Sequence, residues 1–249
     1  MKNKFIINIG ILALISAELL AITGKHTTIS AKSSPSDNQE ICIFCHTPHA
    51  GNNDIGGPVP LWNKITNSLQ FQMYGATTGG VAGRTIAGTL TDVQPTDQTL
   101  ACLSCHDGIS AMNSVINAPG SGLTGTGVPQ ANGGVFIGSD SATVMPNTQV
   151  MAIGGRMEVI DWVNQVVTLS DGALQNDHPL SIPYIPGRAS LKELDAPLFN
   201  FFGAEVVGDL VRNGKVHCTS CHDPHGTGND LYLRNKNIGS ALCLGCHDK

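Results

Sequence analysis

Apolar positions along this chain fall into short runs, and no long stretch repeats with the 3.6-residue period of an amphipathic helix. The longest run, Phe5 to Ile22, follows the basic residues Lys2 and Lys4 and precedes a small, polar stretch from Thr23 to Ser36. That order predicts a secretory signal peptide over residues 1–31, cleaved between 17 and 31. A retained anchor is the alternative, but the run is short for a membrane span and Glu18 makes burial in lipid costly. Further on, residues 108–155 mix Gly, Ser, Thr and Asn with Pro119, Pro129 and Pro146, which predicts loops and short strands. Residues 156–169 are rich in β-branched residues and predict a strand pair. Leu210–Arg212 and Lys215–His217 flank Asn213-Gly214, a strong two-residue hairpin signal. A short helix is expected near Ala189–Leu194.

Composition sharpens this into a problem of what fills the interior. Charged residues are 13% of the 249, about half of the roughly 25% usual for soluble domains. Aromatics are 5%, while Gly and Pro number 29 and 13. Such a chain has little ordinary core and much loop. The formal net charge of −5 leaves no basic excess to neutralise phosphates, so nucleic acid is not an expected partner.

The eight cysteines answer the problem. They form four units, each followed by histidine: Cys42-Ile-Phe-Cys45-His46, Cys102-Leu-Ser-Cys105-His106, Cys218-Thr-Ser-Cys221-His222 and Cys243-Leu-Gly-Cys246-His247. C-x-x-C-H is the attachment motif of c-type haem. Two cysteines three apart lie on one side of a helical turn, where both thiols add to the vinyl groups of one porphyrin. The next histidine falls beneath the ring and ligates iron. Zinc is the competing reading for Cys218/Cys221 with Cys243/Cys246, whose spacing resembles a zinc ribbon. It does not explain a histidine after every pair. The units also repeat in order. C-I-F-C-H-T-P-H at residue 42 matches C-T-S-C-H-D-P-H at 218, and C-L-S-C-H-D at 102 matches C-L-G-C-H-D at 243. A duplicated two-haem module is expected, at 32–107 and 218–249, separated by an insert at 108–217. Leu61-Trp62-Asn63-Lys64 and Leu233-Arg234-Asn235-Lys236 align as a further shared fragment.

Five of the nine histidines lie outside the motifs: His26, His49, His178, His217 and His225. His26 falls within the leader and reads as a spacer residue. The other four match four irons, so each haem can carry two imidazoles. His49 and His225 sit too close to their own motif histidines to reach the far face of the same haem. They are expected to serve neighbouring haems, and the simplest assignment gives His49 to the Cys102/Cys105 haem and His225 to the Cys243/Cys246 haem. Met73, Met112, Met145, Met151 and Met157 are expected to be packing residues, since the histidine count closes without them. Irons with two histidines are low in potential and leave no open position for a substrate, so electron transfer rather than catalysis is expected.

These paired C-x-x-C-H-[TD]-P-H and C-L-x-C-H-D units resemble those of the doubled-C-x-x-C-H multihaem cytochromes. With the insert's Asp-His-Pro-Leu at 177–180, the chain is most similar to tetrahaem outer-surface cytochromes, some of which polymerise into extracellular filaments. The resemblance covers residues 42–249 and is weak across 108–170. It implies a fold with little regular secondary structure, made of short helices, short β-hairpins and long loops wrapped around a chain of four stacked haems. It implies four covalent haem c groups, distal ligation by His49, His178, His217 and His225, and redox proteins or extracellular electron acceptors as partners. It also implies export to the outer surface and head-to-tail stacking of copies, in which one distal histidine comes from the adjoining subunit. A monomeric periplasmic shuttle and a membrane-anchored quinol-oxidising cytochrome are the alternatives.

Overall fold

The computed structural model describes residues 41–53, 55, 59, 61–66, 70–106, 114–117, 135–136, 157–161, 166–169, 174–175, 177–226, 228–229 and 232–248. The leader at 1–31, His26, Met112, Met145 and Met151 lie outside them, and Met157 is described by its strand backbone alone. No helix among the described residues is long and apolar enough to cross a membrane.

Regular structure is sparse. Helix α1 (Asp97–His106) runs directly into the second motif and is followed by three antiparallel strand pairs and two one-turn helices. Strand β1 (Ser114–Val115) pairs with β2 (Val135–Phe136). The strand pair expected over 156–169 is present as β3 (Met157–Asp161) and β4 (Val166–Leu169), in register Met157 to Leu169 with an irregularity before Asp161. Helix α2 spans Val207–Leu210, and Asp209 Oδ2 closes its start by accepting from the backbone N–H groups of Glu205 and Val206 at 2.9 and 3.0 Å.

The Asn213-Gly214 turn forms, but its flanks differ from the sequence expectation. Arg212 and Lys215 exchange backbone hydrogen bonds of 3.0 and 2.9 Å across it. Asn213 and Gly214 both take positive φ, 50° and 72°, the requirement of the primed turn that matches strand twist. Leu210, however, ends α2, so the incoming arm is extended only from Val211. The outgoing arm, β6 (Lys215–Val216), pairs instead with β5 (Ile182–Pro183). Around Ala189–Leu194 the helix is reduced to a 3-10 turn at Arg188–Ser190, with Leu191 already extended.

Among the described residues one apolar cluster is formed by Phe71, Met73, Ala76, Leu103 and Leu174, with Leu180 against it. Met73 packs there as expected. Around this core, polar contacts join distant parts of the chain. Ser181 Oγ accepts from the backbone N–H of Thr96 at 2.9 Å, and Lys215 Nζ meets Asp92 Oδ2 at 2.6 Å. The end of the insert is thereby fastened to the start of α1, beside His217.

Candidate haem attachment sites

Each motif folds as one helical turn. His46 N donates to Cys42 O at 2.7 Å, His222 N to Cys218 O at 2.9 Å and His247 N to Cys243 O at 3.0 Å. The second motif is the last turn of α1, and the third opens with helix α3 (Cys218–Cys221). This is the turn that puts both sulfurs on one side and the histidine next to them. All eight thiols are free of disulfides, although oxidising compartments favour pairing.

The two type A motifs are clamped in the same way by a following segment. Thr47 N donates to Leu61 O and Asn63 N to Cys45 O, at 2.9 and 2.8 Å. In the second repeat Asp223 N donates to Tyr232 O and Arg234 N to Cys221 O, both at 2.8 Å. The side chains repeat the equivalence: Asn63 Nδ2 donates to Ile43 O at 2.7 Å, and Arg234 Nε to Thr219 O at 2.7 Å. Asn63 therefore corresponds to Arg234, one residue away from the alignment that identical letters suggested. The fourth motif is clamped from the insert: Lys192 N donates to Cys246 O and Asp248 N to Ser190 O, at 2.9 and 2.8 Å. Gly245 within that motif faces the Phe201 ring so closely that a Cβ would lie 2.3 Å from its tip, so any larger residue forces that ring to shift.

The thiols also report which motifs adjoin. Burial and the nearby Cys105 push Cys45 up to about 12. The Cys102 thiol donates to Cys218, which raises the Cys102 pKa and lowers that of Cys218. Burial and Cys246 push Cys221 up to about 11. The motifs thus neighbour one another in chain order: first to second, second to third, third to fourth. Trp62 adds to the first of these contacts by donating from Nε1 to Ser104 Oγ at 3.0 Å, its ring 5.7 Å from that of His46.

Three of the four spare histidines are held by the same ring nitrogen. His178 Nδ1 lies 3.1 Å from Pro179 O. A carbonyl only accepts, so Nδ1 carries the proton and Nε2 offers its lone pair. His225 Nδ1 stands 3.4 Å from Asp223 Oδ1. That contact raises the His225 pKa against the opposing effect of burial. His217 is fully buried, with Nδ1 3.0 Å from Thr99 Oγ1. Its Nε2 has no hydrogen-bond partner, and the nearest carboxylate oxygen, of Asp97, is 3.5 Å away. Burial lowers the His217 pKa, which keeps the ring neutral. A buried neutral imidazole with Nδ1 engaged and Nε2 open suits iron ligation. His49 is exposed, and among the described residues no hydrogen bond or ion pair engages its ring; only its backbone carbonyl accepts, from Thr47 Oγ1 and Asn117 Nδ2. The haem donor set therefore fits: thiol pairs on helical turns, and oriented imidazoles nearby.

Two of those imidazoles face motif histidines. The His225 and His46 ring centres are 6.3 Å apart, with planes 16° from parallel. The His178 and His247 centres are 6.4 Å apart, at 66°. His225 thus sits by the first motif, not by the fourth as its sequence position suggested, and the fourth is faced by His178. Among the described residues no group of three or more His, Cys, Asp or Glu is arranged to hold a metal ion directly, so the zinc-ribbon arrangement is not formed there. Thr99 had no motif to announce it, whereas Trp62 and Arg234 lie in the fragment shared by the two repeats, which carried no sign of their roles. Asp223 was visible only as one of three positions where the two type A motifs differ.

The doubled CXXCH motif family matches residues 209–249. No match to a curated protein was found. The match takes in the third and fourth C-x-x-C-H units, and such motifs indicate covalently bound haem c.

Proposed function

We propose that this protein is an exported tetrahaem cytochrome that passes electrons along a chain of haems, each ligated by two histidines. The supporting observation is the pairing of motif and spare imidazoles. Metal–imidazole bonds of about 2 Å on each face, with about 1 Å from each nitrogen to its ring centre, separate two axial rings by about 6 Å. His46/His225 and His178/His247 stand at 6.3 and 6.4 Å. Four motifs take four haems, and the adjacency of their thiols supports the order first, second, third, fourth. When bound, haem supplies a one-electron ferric/ferrous couple. The chain's own residues supply the thioether anchors, orient the ligand rings and exclude water from His217. Irons held on both faces support a carrier and not an enzyme.

The filament reading is favoured by His49. It is exposed on the first repeat, as His178 and His225 are, but the rings of His178, His217 and His225 each have a hydrogen-bond or ion-pair partner in their own chain, so His49 is the one we assign to iron in an adjoining copy. Head-to-tail contacts of this kind do not close and so extend into fibres. A monomeric shuttle would require His49 to ligate within its own chain. Pyridine haemochrome of purified protein is expected to give four haems c per chain, and electron microscopy of the secreted fraction to show filaments. His49→Ala is expected to abolish the filaments and leave particles with intact haem content. Filaments that persist in His49→Ala would remove His49 from the interface, and a colourless protein would overturn the haem reading altogether.

A further inference from the structure

The two type A repeats share their clamps but differ at the residue after the motif histidine. In the first, Thr47 Oγ1 donates to the backbone carbonyl of His49 at 3.0 Å, and the ring is left alone. In the second, one oxygen of Asp223 serves the whole of His225: Oδ1 accepts from its backbone N–H at 2.9 Å and stands 3.4 Å from ring Nδ1. The other oxygen is gripped by Arg234 Nη1 at 2.9 Å. Arg234 cannot swing away, because Nε donates to Thr219 O at 2.7 Å and Nη1 to Phe202 O at 2.8 Å. The carboxylate is thus pinned from behind by a guanidinium that is itself pinned to backbone. His225, by contrast, is half exposed, and Asp223 is the charged partner of its ring.

We propose that Asp223 is a positioning residue for the haem on Cys42 and Cys45: it locks the plane of the His225 ring, turns Nε2 toward the iron beside His46, and lowers that haem's potential. This rests on the reading of His225 as the distal ligand of that haem. A carboxylate accepting from Nδ1–H makes the ligand more basic, as the outer-shell partners of ligating histidines do. A more basic ligand favours ferric over ferrous iron. Reduction adds one electron to the iron and moves no proton, so Nδ1–H stays on the ring in both states. Arg234 draws charge from the same carboxylate, and its effect on the haem has the opposite sign. Thr47 offers His49 neither the charge nor the ring contact, so the two repeats hold their third-residue histidines with different strength. Residue 223 sits in the second module, whereas the haem it tunes is attached to the first.

The test is made on the haem-loaded protein, by spectroelectrochemical titration and low-spin EPR. Asp223→Thr installs the residue of the first repeat, and Asp223→Asn keeps the shape and removes the charge. Asp223→Thr is expected to move one haem wave to higher potential. The low-spin EPR signal of the near-parallel ring pair should broaden toward larger g-spread as the freed ring turns. Arg234→Gln is expected to move the same wave to lower potential and, because the carboxylate is no longer pinned, to broaden that signal by less than Asp223→Thr does. Asp223→Asn should shift the potential upward by less than Asp223→Thr. A potential shift with an unchanged EPR signal would reduce Asp223 to a distant charge and overturn the positioning role, as would unchanged waves in both variants. His225→Ala separates the two layers of inference. If every haem stays low-spin, the ligand assignment fails and this proposal with it. If one haem turns high-spin while Asp223→Thr changes nothing, only the role of Asp223 is refuted.

Discussion

Replacing Thr99 by valine isolates what a single hydroxyl does for a buried ligand. The two side chains are nearly the same shape, so no cavity opens. What is lost is the 3.0 Å contact between Thr99 Oγ1 and His217 Nδ1, at a ring with no exposed surface. Water cannot replace the hydroxyl at that depth, so the Nδ1–H is left unsatisfied. An unsatisfied buried donor costs about 1–3 kcal/mol, a factor of roughly 5 to 150 in the ratio of folded to unfolded protein. If His217 is a haem ligand as proposed, the loss also reaches function, because Nδ1 is then the handle that aims Nε2. With the handle gone, the ring is less basic and less fixed, and the potential of its haem should rise. The assay is guanidinium unfolding of the haem-loaded protein followed in the Soret band, with spectroelectrochemistry alongside. A lower midpoint with an unchanged slope, and one haem wave moved upward, are expected. A wild-type midpoint together with wild-type potentials would refute the claim that Thr99 holds His217 as a ligand.

The ring angles predict two kinds of low-spin haem in one frozen-solution EPR spectrum. The pair at 16° should give a rhombic signal and the pair at 66° a signal of large maximum g; His225→Ala should remove the first and His178→Ala the second. Arg234→Met leaves the Asp223 carboxylate and two backbone carbonyls without their donor, a loss of about 3–5 kcal/mol by the cost of breaking one side of a buried pair, measurable as a fall in unfolding midpoint. Gly245→Ala forces a methyl against the Phe201 ring. It should destabilise by about 1–3 kcal/mol, as overpacking does, while Gly239→Ala, where nothing stands within 4 Å, tests only the cost of its positive φ of 62°.

What was legible in the sequence was local. The C-x-x-C-H turns are set by i to i+4 backbone bonds within five residues, and all four motifs carry them in helical form. The Asn213-Gly214 turn needs only the left-handed tolerance of two residues, and the β3–β4 pair only a β-branched run. The misread elements lie where tertiary contacts override propensity. Leu210 is drawn into α2 because its side chain is buried and Asp209 closes that turn, although hairpin logic makes it a strand residue. Ala189–Leu194 carries helix-forming residues, yet the backbone of Ser190–Lys192 is spent on clamping the fourth motif, which only an extended segment can do.

Distal pairing was not legible at all, for a reason visible in the repeat. Each type A motif projects a histidine three residues beyond its proximal one, and sequence proximity says only that the target is some other haem. Which one depends on how the two copies face each other. The contact of the Cys102 and Cys218 thiols brings the second motif of one module against the first motif of the next. With the modules joined there, His225 is carried back to the first motif, and the fourth is left for His178 from the insert. The insert is therefore more than a spacer, since it sets His178 beside His247, clamps the fourth motif at 190–192 and carries the buried His217. If the proposed ligands are right, the two modules exchange them and cannot be filled independently. Loss of the second module's His225 should be read at the first module's haem, which is the point at which a simple beads-on-a-string cytochrome would behave differently.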